Sequence, residues 1–193
     1  MRVEALWCSL TTGWCKLNTY SFRCNITGRA SCGGVLRNEK DDWIMSFSCF
    51  IGVCSTFEAE LWGILEGLNH AWHLDYRKFE VELDSLFTVR ILHEKVSVEA
   101  HYNLLSHIFE ALRRGWEVRL SHIFREANAI ADELAKMETS VEGCIFCSLP
   151  AADRIDLKGT IFLSSLAAKW QYRSDNHMLQ QGLILELGVS DDF

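Results

Sequence analysis

The sequence has almost no proline and little glycine, and this scarcity excludes several classes of protein. Pro150 is its one proline, and 12 glycines are spread along its 193 residues. Collagen-like chains and flexible linkers depend on a high content of these two residues. A hydrophobic content of 49%, with 11% aromatic residues, is instead enough to build a core. We therefore predict a globular protein, with one domain of ordinary size and extensions.

Long apolar runs and an excess of positive charge are also lacking. No stretch of about 18 apolar residues occurs, and the opening MRVEALWCSLTTGW has no continuous apolar centre like that of a secretory signal. We therefore expect an intracellular protein, nuclear or cytoplasmic, that is neither secreted nor bound to a membrane, with its eight cysteines as free thiols. The formal net charge of −7 means that any contact with nucleic acid has to come from a local basic surface.

The first half of the chain predicts three strands followed by a helix. Segments 14–20, 31–38 and 42–50 are rich in aromatic, β-branched or small residues, and the sequences NITGRAS and NEKDD between them are typical of turns. The next stretch, STFEAELWGILEGLNHAWHL, opens with the capping-box spacing of Ser55 and Glu58 and continues with leucines at helical intervals. We therefore expect three consecutive antiparallel strands and then a secure helix.

The second half predicts a fourth strand, two helices, a fifth strand and a last helix. In RKFEVELDS, apolar and charged residues alternate, so a strand should end with Asp84 at its exit. Segments 85–93 and 101–114 have helical spacing, and segment 116–120 alternates again. The last helix lies in RLSHIFREANAIADELAKM. The resulting order, βββ-α-β-α-α-β-α, predicts an α/β fold with a five-stranded mixed sheet and helices packed on it.

This pattern covers only the middle of the chain. We predict a domain over residues 13–139, an N-terminal extension over 1–12, and a C-terminal extension of uncertain order over 140–193.

Three carboxylates occupy special places in this predicted order. Glu60 lies near the start of the first helix, Asp84 at a strand exit and Asp132 in the last helix. Each alone reads as a solvated surface charge, but together they can share the sheet edge where open α/β sheets place their sites. Clustered carboxylates repel one another unless cations neutralise them, and oxygen ligands favour Mg²⁺ or Mn²⁺. Two such ions about 4 Å apart can activate a water in phosphodiester cleavage.

Five separated stretches resemble the type 1 ribonuclease H domain, in the reverse-transcriptase-like form abundant in plant genomes. They are GWCKLNT, CGGVLRN, FEAELWGILEGLNHAW, FEVELDS and WEVRLSHIFREANAIADELAKM. The resemblance runs from about Trp14 to Met137. It implies the RNase H-like fold and cleavage of the RNA strand of RNA–DNA hybrids by four carboxylates and two magnesium ions.

The resemblance also implies roles for individual residues. Glu60 of AELW, Asp84 of ELDS and Asp132 of IADELA match metal-binding carboxylates that also serve in catalysis. His122 matches a flexible histidine that assists proton transfer or product release. Asn128 stands four residues before Asp132, as it does in the family, and is an expected substrate contact.

Nucleic-acid contact has a second, weaker signal in a group of arginines. Arg113, Arg114, Arg119 and Arg125 surround the fifth predicted strand and can meet phosphates, and we single out Arg125 as a substrate-binding residue. The alternative is a solvated charged face. The expected partner is an RNA–DNA hybrid bound by a monomer, without a small-molecule cofactor.

The sequence departs from the family at the first metal ligand. The family has NTDGS at the end of the first strand, whereas this chain reads NTYSF and places Tyr20 where the first aspartate is expected. A phenol, with a pKa of about 10, stays neutral at pH 7 and is a poor magnesium ligand. We therefore predict an incomplete two-metal site for Mg²⁺ or Mn²⁺ and strongly reduced hydrolysis. The alternatives are residual turnover by the remaining carboxylates, or a catalytically inactive nucleic-acid-binding or retroelement-derived remnant domain.

Overall fold

The computed structural model describes residues 10–96, 98–136 and 143–148. The strands in this part of the chain are β1 (Cys15–Arg23), β2 (Arg29–Arg37), β3 (Trp43–Val53), β4 (Lys78–Leu83), β5 (Glu117–His122) and β6 (Gly143–Ser148). The α-helices are α1 (Thr56–His73), α2 (Leu86–Glu94), α3 (Tyr102–Leu112) and α4 (Ala129–Lys136). Short 3₁₀ helices, Glu99–His101 and Arg125–Asn128, precede α3 and α4. The predicted order of strands and helices is confirmed.

The strands form one mixed sheet in the order β5-β4-β1-β2-β3-β6. Strands β1, β2 and β3 are consecutive antiparallel neighbours, whereas β4 runs parallel to both β1 and β5. The predicted five-stranded mixed sheet is therefore present, and β6 adds a sixth, antiparallel strand beside β3. The sheet thus continues past residue 139, where the predicted domain ends.

Helix α1 begins at the predicted capping box. Ser55 Oγ accepts a hydrogen bond from the Glu58 backbone N–H, and the Glu58 carboxylate accepts one from the Ser55 N–H at 2.8 Å. The helix lies close to β1 because Gly67 faces it: a Cβ added at Gly67 would come within 2.8 Å of Leu17 Cδ2. The close approach fixes the position of α1, and hence of Glu60, relative to β1.

The two faces of the sheet are covered by different helices. Helices α1 and α3 bury an apolar core against one face, with fully buried side chains that include Leu17, Phe47, Leu61, Phe79 and Ile108. Helix α4 packs on the other face, where its backbone lies so close to Gly33 that an added Cβ would be 2.6 Å from the Ala135 nitrogen. The last helix is therefore held against the middle of the sheet.

Two expectations from composition can be compared with the described residues. Within the described ranges, no helix combines the length and the apolar character needed to span a bilayer. Cys15, Cys24, Cys32 and Cys54 are free thiols as expected, but Cys49 is disulfide-bonded, so the expectation is wrong at that residue.

Candidate functional site

The parallel strands bring the predicted site residues to one edge of the sheet. Asn18 of β1 pairs with Glu82 of β4, and Leu83 of β4 pairs with His122 of β5. Two residues beyond Asn18 and Glu82 come Tyr20 and Asp84, so these two lie side by side, with the exposed His122 near them. The carboxyl ends of parallel strands are where open α/β sheets place their sites.

Glu60 reaches this edge from the beginning of α1. Thr88 of α2 donates a hydrogen bond from Oγ1 to Glu60 Oε2, and Thr88 is itself placed by the cap of α2, since Ser85 Oγ accepts a hydrogen bond from the Thr88 N–H. Burial raises the pKa of Glu60 despite these hydroxyl groups, and the charge of Asp84 raises it further. The carboxylate of Glu60 is thus half-buried, and its hydrogen bonds only partly offset the loss of hydration.

Asp84 lies at the centre of the cluster. Burial raises its pKa, and the charge of Asp132 adds to this rise, whereas its own backbone N–H, Arg125 and His122 act in the opposite direction. The end of β4, the end of β5, the second 3₁₀ helix and α4 thus bring Asp84, His122, Arg125 and Asp132 to one edge of the sheet.

Tyr20 lies beside these carboxylates. A small cavity beside it is lined by Thr19, Tyr20, Ser21, Glu60, Leu83, Asp84, Ser85 and Thr88. Burial raises the pKa of Tyr20 to about 12, and the negative charges of Asp132 and Asp84 raise it too, while Arg125 lowers it. The phenol is therefore neutral at pH 7, and its ring stands among three carboxylates.

Two cations of the chain itself hold Asp132. Arg125 Nη2 lies 3.6 Å from Asp132 Oδ1, and Lys136 Nζ donates to Asp132 Oδ2. The Arg125 guanidinium also lies over the Tyr20 ring, with Cζ 5.1 Å from the ring centre. Arg125 therefore links Tyr20 to Asp132, and most of its side chain remains exposed to solvent.

The residues present do not fit a two-metal centre. Within the described part of the chain, no group of three or more His, Cys, Asp or Glu side chains is arranged to hold a metal ion. Tyr20 supplies a neutral ring at the expected first ligand, and Asp132 is already paired with Arg125 and Lys136. The three expected ligands Glu60, Asp84 and Asp132 are thus near one another without forming a metal cluster.

Asn128 lies beneath the site. Its side chain is 1% exposed, and its Nδ2 donates a hydrogen bond of 2.8 Å to the backbone oxygen of Thr19. The expected substrate contact would need an exposed amide, so the geometry favours a positioning role. The bond ties the start of α4, and through it Asp132, to the strand that carries Tyr20.

The predicted arginine group does not come together at the site. Arg125 belongs to the site, whereas Arg114 donates to Asn69 Oδ1 at 2.9 Å and Arg119 lies over the Trp14 ring at 3.8 Å. Sequence reasoning also missed Ser85, Thr88 and Lys136. The spacing of Asp132 and Lys136, four residues apart on a helix, is a recognisable signal for an ion pair.

Comparisons with known proteins identify the family and the fold. The family described as reverse transcriptase-like matches residues 19–138. An Arabidopsis thaliana protein, named provisionally as a ribonuclease H protein, is 39% identical over 143 residues, which cover 72% of this chain and 23% of that protein. The chain thus spans about a quarter of the length of this relative.

Two solved structures share the fold. RNase H1 of the halophilic archaeon Halobacterium salinarum is 20% identical, has a TM-score of 0.59, and is matched over 63% of this chain and 94% of that one. LC11-RNase H1, isolated from compost and solved in complex with an RNA/DNA hybrid, is 25% identical with a TM-score of 0.58, over 62% of this chain and 92% of that one.

Proposed function

Since the chain belongs to the reverse transcriptase-like family of ribonuclease H domains, we propose that it binds RNA–DNA hybrids and cleaves them very slowly or not at all. Cleavage of the RNA strand of such hybrids is the family activity. LC11-RNase H1, which has the same fold, was solved with a hybrid bound. The proposal therefore separates binding, which this chain retains, from cleavage, which it has largely lost.

The position of Tyr20 supports the proposed loss of cleavage. Divalent metal ions serve catalysis in the family, and a metal site needs several charged oxygen ligands around one point. Here the neutral phenol stands where a carboxylate is needed, and its ring fills space beside Asp84 and Asp132. The fit of the site to metal ions is poor for that reason.

The remaining residues of the site still suit contact with a nucleic-acid backbone. Arg125 offers an exposed guanidinium beside the cleft, and the exposed His122 lies on the same edge. A guanidinium binds phosphate through paired hydrogen bonds. We propose that Arg125 meets a backbone phosphate, while Asn128 keeps α4 in place behind it.

Tyr20→Asp tests this proposal, with Tyr20→Asn as the matched control of equal size and no charge. Cleavage of a labelled RNA–DNA hybrid is measured in magnesium and then in manganese. We expect Tyr20→Asp to cleave about a hundredfold faster than the parent or more, which is the order of loss when one group of a catalytic site is removed. Tyr20→Asn should stay at the parent's level, because it adds no charged ligand.

Two outcomes contradict the cleavage half of the proposal in different ways. If the parent cleaves readily and Asp132→Asn abolishes that cleavage, the impairment is wrong. If neither the parent nor Tyr20→Asp cleaves, the site owes its inactivity to more than Tyr20.

Hybrid binding is measured separately, in EDTA and over a range of salt concentrations. The expected affinity falls steeply with salt, because phosphate contacts release counterions, and needs no divalent ion. A parent chain that binds no hybrid even at low salt contradicts the binding half. It would favour the second candidate, a remnant domain without nucleic-acid function.

A further inference from the structure

Each of the three strand ends that build the site also presents an exposed phenylalanine. Phe22 follows Tyr20 by two residues, Phe87 follows Asp84 by three, and Phe124 follows His122 by two. Their side chains are 39%, 60% and 77% exposed. Large apolar side chains are rarely left in water without a function when several surround one site. We call these three residues the aromatic rim.

The parallel strands place the rim residues at one edge of the sheet. Phe87 and Phe124 follow the ends of β4 and β5, whereas Phe22 lies near the end of β1, where it pairs with Ser31 of β2. Neighbouring strands lie about 4.8 Å apart, so β1 and β5, two strands apart, are separated across the sheet by about 10 Å. This spacing is on the scale of a few nucleotides rather than of a whole protein surface.

Two of the rim rings are supported by a neighbouring ring. Phe124 packs edge-on against His122 at 6.0 Å, and Phe87 packs edge-on against Phe57 at 5.2 Å. Arg125, the residue after Phe124, lies over the Tyr20 ring. Rings held by a neighbour at their edges but exposed over most of their surface can accept a further flat group.

We infer that the aromatic rim stacks on the unpaired bases of a single-stranded nucleic acid, while Arg125 meets its phosphates. This inference rests on the proposed nucleic-acid binding and adds single strands to its substrate class. Bases in a duplex are already stacked inside it, so exposed phenylalanine rings gain little from a duplex backbone. Single strands offer their base faces to aromatic side chains, and the guanidinium supplies the charge that matches the phosphates.

The affinity for single-stranded RNA, single-stranded DNA and a hybrid, each of 12 nucleotides, tests the inference. Fluorescence anisotropy in EDTA compares the parent with Phe124→Leu, which keeps an apolar side chain but removes the π face. The matched control is Trp62→Leu. Trp62 is also exposed on the surface, and it lies on the other side of α1 from Glu60, since two residues correspond to roughly 200° of helical rotation.

We expect Phe124→Leu to weaken single-strand binding by about 5- to 100-fold, the range for loss of one stacked base. Hybrid binding should change less than about twofold in the same variant, because the arginine contact remains. Trp62→Leu should leave both affinities as in the parent. Since Phe124 is exposed, neither the fold nor the melting temperature should change.

Four results would overturn the inference, and they differ in what they leave standing. Hybrid binding without single-strand binding removes the rim's role and leaves the proposed function intact, whereas no binding to any nucleic acid removes both. Equal single-strand affinity of the parent and Phe124→Leu removes stacking as the cause. Self-association of the parent that survives in Phe124→Leu but not in Phe124→Ala would make the rim an apolar contact between two copies of the chain.

Discussion

Two polar clusters lie next to each other on the same face of β1. They differ in how far the chain itself pairs their charges. Alternate residues of a strand share a face, so Lys16 and Asn18 point the same way as Tyr20. Lys16 and Asn18, with Arg37 and Glu82, form what we call the inner cluster. Tyr20 and the carboxylates around it form the edge site, only two residues further along the strand.

The residues of the inner cluster bind one another. Lys16 Nζ lies 2.8 Å from Glu82 Oε1, Asn18 Nδ2 donates to Glu82 Oε2 at 2.7 Å, and Arg37 Nη2 donates to Asn18 Oδ1 at 2.6 Å. All four residues are buried. Charges that leave water are tolerated when they are paired and hydrogen-bonded in this way.

The carboxylates of the edge site are only partly paired within the chain. Burial raises the pKa of both Glu60 and Asp84, and within the chain Arg125 and Lys136 are directed mainly at Asp132. Carboxylates left partly uncompensated at a sheet edge are typical of functional sites, where a ligand completes the balance. Polar residues on one strand therefore differ in role. Those whose charges and hydrogen bonds are paired within the chain support the fold, and those left partly unpaired are available for function.

The largest expected effect comes from breaking the inner cluster. Glu82→Ala leaves Lys16 buried without its counter-charge and should lower the free energy of unfolding by about 3–5 kcal/mol. Glu80→Ala is the matched control, because Glu80 lies on the same face of β4 but is half-buried and bonded to Ser121. That control should cost about 1 kcal/mol or less. Urea denaturation of both variants gives the comparison.

A double variant tests whether the unpaired charge causes this loss of stability. Replacing both Lys16 and Glu82 with apolar residues, as Lys16→Met with Glu82→Leu, should be much less destabilising than Glu82→Ala, since no unpaired charge remains. A double variant as unstable as Glu82→Ala would show that the cluster contributes net stability as an ion pair, contrary to this account.

A smaller effect is expected from Asn128, which connects α4 to β1 beneath the edge site. Asn128→Ala removes the buried hydrogen bond to the Thr19 carbonyl, so the free energy of unfolding should fall by about 1–2 kcal/mol. Asn103→Ala, at an exposed position on α3, should stay within about 0.5 kcal/mol of the parent. Equal stability of the two variants would contradict the positioning role of Asn128.

The smallest expected effect has the opposite sign and comes from the edge site itself. Glu60→Gln keeps an oxygen for the Thr88 hydroxyl but removes the charge, so it should stabilise the protein at pH 7 by up to about 1 kcal/mol. The pKa of Glu60 is raised in the fold, which means that its ionised form is less favourable there than in the unfolded chain. This penalty exists above the raised pKa and disappears as the pH falls to the ordinary glutamate range.

Unfolding measured at pH 7 and at about pH 4 therefore separates this cause from others. The advantage of Glu60→Gln should shrink at the lower pH, because the parent's Glu60 then takes up its proton. Glu94→Gln, at an exposed position, is the control and should show no such change. An advantage of Glu60→Gln that is constant with pH would mean that charge is not its origin.

The order of elements was readable from the sequence because local signals specify it. The capping box at Ser55 begins α1, and the alternation that ends in Leu83 predicts both β4 and the place of Asp84. The different roles of Lys16 and Tyr20 could not be predicted from the sequence. Both are polar residues at alternate positions of one strand, and their different roles depend on partners 60 or more residues away in the sequence.

The sequence by itself determined the first five strands and the four helices, the family resemblance and the substitution of a tyrosine for the expected aspartate, but not β6. Periodicity, capping and motif spacing are properties of neighbouring residues, so they survive without a fold. The tertiary structure alone decided that Asn128 is buried, that Arg125 joins the site while Arg114 and Arg119 do not, and that Arg125 and Lys136 hold Asp132. These outcomes depend on how parallel strands and the last helix bring distant residues to one edge, where burial and charge are set by the whole assembly.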